Sequence, residues 1–210
     1  HKDLLADEIG SEIVSVNGLT HDSFPRRISA ALAARMPAVA KHVAMDRDEA
    51  DRPDCSINAL GISAKADGAG FVLLASPKAC RALKLKPQAA WISSASVGCP
   101  PETPLLAAEV AARTVLSRAG LDSANTLAVI ELHDAFAVQG LRFCHALNID
   151  SLRVNRGGGG LARGHPIGAS AAIALVRLLT DLSHEKPSAL GLTAVAGAGG
   201  LGAAAIFQRL

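Results

Sequence analysis

Along the chain, apolar residues gather into short continuous runs from about residue 70 onward, whereas the first 55 residues are broken up by charge. The runs 70–75 (GFVLLA), 89–97, 126–132, 190–196 and 203–207 have the length of buried strands, with Gly, Pro or polar residues at their ends. Between them the spacing predicts helices over 77–85, 104–119, 134–147 and 166–182. Thr103 is placed to cap the second and Gly120 to end it. The third turns Phe136, Gly140, Leu141, Phe143 and Cys144 inward. The last carries Ser170, Arg177, Thr180 and Asp181 as its polar residues, so it reads as buried nearly all round. Its small residues Gly168, Ala169, Ala171, Ala172 and Ala174 admit a closely packed neighbour. Upstream, the pattern predicts a strand over 12–16, a helix around 27–41 and an exposed loop over 46–54. From residue 89 the order is close to βαβαβαβ, the last two strands joined as a hairpin through 197–202, which indicates a layered α/β sheet.

Composition narrows the class. The 210 residues suit one large domain or two small ones. Half are hydrophobic, only 3% are aromatic and none is tyrosine, which favours close packing of small side chains. A net charge of +2 with acids and bases interspersed argues against a nucleic-acid partner. Arg177 and Asp181 interrupt the longest apolar run before it reaches the ~20 residues of a membrane span, so no membrane partner is expected. The charged first eight residues differ from a secretory signal, and a start at His1 points to a fragment or a processed product. Cys55, Cys80, Cys99 and Cys144 form no CxxC pair, so no metal site is expected, and they read as the reduced thiols of a cytoplasmic protein.

Two histidines stand at the starts of helices. His133 follows the strand VIEL and opens HDAFA (133–137); His165 lies inside GGGGLARGHPIGAS (157–170), followed by Pro166 in a first-turn position. A helix N-terminus disfavours imidazolium. A neutral imidazole there can accept a proton from a nucleophile or serve a developing oxyanion. Taken singly, each histidine is as readily a capping residue, and the glycine run as readily a place for close backbone packing. The run matches neither GxGxxG with its acidic partner nor GxxxxGK[ST], which argues against a nucleotide site.

HDAFA, GGGGLARGHPIGAS and GLTAVAGAGGLGAAAIF (191–207), in that order, resemble the C-terminal half of the thiolase family. Weaker likeness reaches upstream through SAKADGA (63–69) and the region 26–42. The resemblance implies a layered αβαβα fold: residues 1–55 end a loop region, 56–85 hold the last strand and helix of the N-terminal half, and 86–210 form the C-terminal domain. It implies an acyltransferase of fatty-acid metabolism that makes or thiolytically cleaves carbon–carbon bonds in 3-ketoacyl-CoA. Coenzyme A is then substrate or product, with no tightly bound cofactor. It further implies a dimer or tetramer, or pairing with a chain carrying the N-terminal half.

In that likeness His165 activates a cysteine and then lines an oxyanion hole, and His133 holds the water that completes it. The backbone N–H of Ala198 serves a second hole. Ser63, Phe136 and Gly199 fall in the acyl-CoA-binding set. Two departures stand out. The segment bearing the family's nucleophilic cysteine has no counterpart in these residues, and the positions of its acid/base cysteine read Ala196 and Ala135. A non-catalytic acyl-CoA-binding subunit and a CoA-linked retro-aldolase are therefore the competing readings.

Overall fold

The computed structural model describes residues 12–25, 27–40 and 56–210. The predicted loop over 46–54 and the charged first eight residues lie outside them.

The N-terminal region departs from the sequence pattern. No strand forms over 12–16; instead Val16 and Leu19 exchange backbone hydrogen bonds of 3.1 and 2.9 Å across a tight turn at Asn17 and Gly18. Both turn residues take positive φ, 51° and 82°, which ends any extended run there. Of the helix expected around 27–41, only α1 (Ala30–Arg35) forms, with Ser29 Oγ accepting from Leu32 N–H. Pro37 accounts for the stop: it has no N–H to give, and Met36 before it is extended. The chain continues as β1 (Ala38–Ala40), paired antiparallel with β2 (Ile57–Asn58).

The run 70–75 is not a strand of any sheet. Among the described residues no strand pairs with it, and Phe71 and Leu73 are 90% and 80% exposed. Helix α2 (Pro77–Leu83) follows, with Ser76 as its cap.

The rest forms one mixed four-stranded sheet. Its members are β3 (Ala89–Gly98), β4 (Val129–Leu132), β5 (Leu190–Gly197) and β6 (Leu201–Arg209), in the order β3-β6-β5-β4. Strand β4 runs parallel to β5; β6 is antiparallel to both its neighbours. The three helices predicted downstream of residue 100 begin later than the sequence pattern places them. Thr103 makes no capping bond, and a 3-10 turn (Pro104–Leu106) precedes α3 (Ala107–Arg118). Gly120, at φ 68°, does follow its end. Residues 133–136 leave the strand before α4 (Ala137–Leu147), whose buried face is Gln139, Phe143, Cys144 and Leu147. Leu141, predicted inward, is 64% exposed, since it stands two positions from both Gln139 and Phe143, on the opposite side of the helix. After a short turn, α5 (Gly160–Arg163), comes α6 (Ser170–Ser183), which starts four residues past Pro166.

The sheet is covered on both faces. Ala108, Ala111, Ala112 and Val115 of α3 pack with Ile130, Leu132, Leu192 and Ile206 on one side. Leu178 and Leu182 of α6 meet Val129 and Phe207 on the other. Each of these leucines, at most 1% exposed, contributes about 1.5–3 kcal/mol by burial. The far side of α6 meets the extended segment: a β-carbon on Gly70 would come within 3.1 Å of Ala172 Cβ and Ile173 N. The small-residue stripe thus admits backbone at close range. Beyond this crossing opens a cavity of about 1400 Å³ lined by Phe71, Leu73, Trp91, Val176, Leu179 and Phe207 among others, and not by either site histidine.

Candidate active site

The parallel pair β4 and β5 brings two chain ends to one edge of the sheet. His133 follows β4 and donates its N–H to Ala194 O of β5 at 2.9 Å. The β5–β6 turn, residues 198–200, lies at the same edge, where the antiparallel β6 begins. Ala198 and Gly199 are both exposed there, and Gly199 has φ 79°.

His165 is brought in by backbone pairing. Its N–H donates to Ala64 O at 2.7 Å, and its own carbonyl accepts from Ala66 N–H at 3.4 Å. The same upstream segment reaches the His133 loop, since Ser63 N–H donates to Ala135 O at 2.9 Å and Ile62 bridges Phe136. Residues 62–66 thus stitch the two histidine loops together, and Ser63 and Phe136 flank the seam, both half-buried. The imidazoles of His133 and His165 meet at a centroid distance of 4.2 Å and an interplanar angle of 39°.

Hydrogen bonding fixes the tautomer of His165. Ser170 Oγ lies 2.7 Å from Nδ1 and donates its single proton to Pro166 O at 2.9 Å. With that proton committed, Nδ1 must carry the hydrogen, which leaves Nε2 as the basic nitrogen. Burial lowers the pKa of His165, favouring the neutral ring near pH 7. His133 is held further down, at about 4, first by burial, then by the positive potential of His165 and Arg163. Its Nε2 is buried and has no hydrogen-bond partner among the described residues.

Carboxylates surround the pair from behind. Asp134 is buried; its Oδ1 accepts from Gly160 N–H at 2.5 Å, and burial pushes its pKa up to about 6 against those backbone bonds. Glu131, on the same face of β4 as His133, is 1% exposed and pushed up to about 8 by burial. Arg163 stands 3.7 Å away, too far for a hydrogen bond, and its charge opposes that upward shift. On α6, Arg177 pairs with Asp181 at 2.7 Å and with Glu12.

The structure therefore gathers His133, His165, Ser63 and Phe136, and sets Ala198 and Gly199 at the same sheet edge. Among the described residues no hydrogen bond joins that turn to either imidazole. Five residues were not singled out as site residues from the sequence: Ser170, Asp134, Glu131, Arg163 and Asn155, whose side chain pairs with the backbone of Leu132 just before His133. Glu131 had a signal, a lone acid within an apolar strand. Ser170 sits inside GHPIGAS, five residues from the ring it orients.

Comparison with known proteins follows the same residues. The family model for the thiolase C-terminal domain matches residues 85–209, more than half of the chain. A 3-ketoacyl-CoA thiolase of Photorhabdus laumondii is 34% identical over 203 residues, covering 95% of this chain and 52% of its own length. Human mitochondrial 3-ketoacyl-CoA thiolase in complex with CoA superposes with a TM-score of 0.88 at 25% identity, covering all of this chain and 51% of that one. The peroxisomal 3-ketoacyl-CoA thiolase of Saccharomyces cerevisiae, described as a five-layered α-β-α-β-α structure of two core domains of identical topology, is 33% identical, with a TM-score of 0.58. That match covers 62% of this chain and 36% of the yeast one. The chain thus spans about half the length of the curated relatives it matches.

Proposed function

The chain belongs to the thiolase family, and on that premise we propose that it supplies the histidine-bearing half of an acyl-CoA acyltransferase that cleaves or forms the carbon–carbon bond of 3-ketoacyl-CoA. The observation that carries this reading is the oriented pair of imidazoles, with His165 Nε2 left basic by its Ser170 contact.

In this reading Nε2 of His165 takes the thiol proton of a cysteine from the family's N-terminal half. The thiolate adds to the substrate carbonyl carbon, and the Nε2–H of the imidazolium then donates to the oxygen that becomes negative. His133, neutral down to about pH 4, faces that imidazolium without adding a like charge. Its unpartnered Nε2 suits a water completing the hole. Ala198 N–H serves the second hole, and Ser63, Phe136 and Gly199 line the approach of the acyl-CoA, which enters as substrate and leaves as product. The exposed Phe71 and Leu73 favour a covering partner, whether a second copy or the N-terminal half. The free thiols of Cys80, Cys99 and Cys144 favour a cytoplasmic setting, and the likeness to 3-ketoacyl-CoA thiolases favours a place in fatty-acid metabolism.

Ala196 and Ala135 support a second reading, an acyl-CoA-binding subunit without turnover, because alanine transfers no proton. Thiolysis of acetoacetyl-CoA by the complete protein, with and without His165→Ala, separates the two. Turnover that falls about 10²–10⁴-fold in the variant supports the enzyme reading. Equal turnover in both overturns the role of His165. No turnover in either, with thermal protection by CoA, supports the binding subunit.

A further inference from the structure

The end of β4 is held from an unexpected quarter. Val154 bridges Ile130 in parallel, and Asn155 N–H donates to Ile130 O at 2.9 Å, as a neighbouring strand would. The backbone then turns away, because Asn155 adopts φ 51°. Its side chain carries on in place of the backbone. Oδ1 accepts from Leu132 N–H at 2.8 Å and Nδ2 donates to Leu132 O at 2.8 Å, so the carboxamide pairs with Leu132 as a peptide group would. On the opposite edge, Leu132 is paired with Ala194 and His133 N–H reaches Ala194 O. The residue before the imidazole is thus clamped on both sides.

The clamp continues beyond it. Asn155 also faces the Asp134 carboxylate and lowers its pKa, and Asp134 Oδ1 holds Gly160 N–H. Gly159 lies between them: a β-carbon there would overlap both Asp134 Oδ1 and Asn155 Nδ2. At Gly160 a β-carbon would stand 3.0 Å from His133 Cε1, so the glycine backbone forms one wall of the imidazole's seat. The ring of His165 lies against the same imidazole.

We propose that Asn155, acting with Asp134, is a positioning residue for His133: its carboxamide substitutes for a strand residue and latches the glycine loop against the imidazole. Its catalytic consequence rests on the acyltransferase reading; its structural consequence does not. The test uses Asn155→Ala, which removes the latch, and Gly159→Ala, which wedges it open while keeping every polar group. Asn155→Asp retains size and the Oδ1 acceptor but puts a second carboxylate beside Asp134, and it serves where Asn155→Ala does not fold. In folded variants of the complete protein, kcat for thiolysis is expected to drop about 100-fold, as misplacement of a reacting group by an ångström does, with KM little changed. His133, followed by NMR, is expected to titrate nearer its ordinary 6.5 than the wild-type value of about 4. Folded Asn155→Ala or Gly159→Ala protein with wild-type kcat and an unmoved His133 titration overturns the proposal. Should the wild type show no thiolysis, the acyltransferase reading fails and the NMR result alone decides the latch.

Discussion

The imidazoles of His133 and His165 stack at 4.2 Å, and only one of them can carry charge without facing a like charge at that range. His133 is the one held neutral, at about 4, with burial as the larger cause and His165 as the next. Replacing His165→Asn removes the second cause and keeps the first. The His133 titration is therefore expected to rise above about 4 yet stay below 6.5, read from imidazole resonances in an NMR pH series. An unchanged titration would mean that the two rings do not sense each other.

The proton-transfer gap at the sheet edge gives a second prediction. Ala196 ends the buried part of β5, half-buried and paired with Gly202, just before the exposed turn that holds Ala198. Ala196→Cys places a titratable thiol there at the cost of one sulfur atom. If a missing acid/base is what limits the chemistry, acetoacetyl-CoA thiolysis should rise within the 10²–10⁴-fold range typical of such groups. A folded variant with no gain would place the limiting defect elsewhere.

How much of this was legible beforehand depends on which neighbours an element needs. The strands over 89–98, 129–132 and 190–209 were readable because their partners lie in the same stretch of chain and their apolar runs have strand length. The run at 70–75 has the same texture but no described partner, so composition predicted a strand that pairing does not supply. Helix starts fall later than Thr103, Asp134 and Pro166 suggest. A turn or an extended stretch stands between the apparent cap and the helix in each case: the 3-10 turn 104–106 before α3, residues 133–136 before α4, and the Pro166–Ala169 turn before α6. The histidines were legible through their motifs. Asn155 was not, because its role depends on a carboxamide meeting a strand 23 residues away.

Gly200 offers a test of the turn itself. It has φ 83°, and a β-carbon on it would overlap the carbonyl of Cys99, whose N–H in turn donates to Gly200 O at 2.7 Å. Gly200→Ala meets both a left-handed backbone and a clash with backbone that cannot swing aside. A loss of about 1–3 kcal/mol in unfolding free energy is expected from chemical denaturation. If Ala198 N–H serves an oxyanion hole, thiolysis should also fall by more than any fraction unfolded explains. Wild-type stability in this variant would show that the turn is not held against Cys99.

The buried acid behind the site makes stability depend on pH. Glu131 has a folded pKa of about 8 against an ordinary 4.5, so between those values the native state holds a proton that the unfolded chain has released. Its contribution is complete below 4.5 and is lost as pH rises through 8, with a slope of at most about 1.4 kcal/mol per pH unit. Asp134, raised to about 6, acts in the same sense below that pH. His133, lowered to about 4, acts in the opposite sense up to 6.5. In urea midpoints between pH 6.5 and 8 the change from Glu131 is the larger one, and Glu131→Gln, which keeps the tails of the His133 and Asp134 titrations, subtracts the remainder. The wild type is expected to lose stability across that interval, and Glu131→Gln, neutral at every pH, to lose much less. Equal slopes in the two proteins would mean that Glu131 is ionised in the fold and that Arg163, despite its 3.7 Å separation, outweighs the cost of burial.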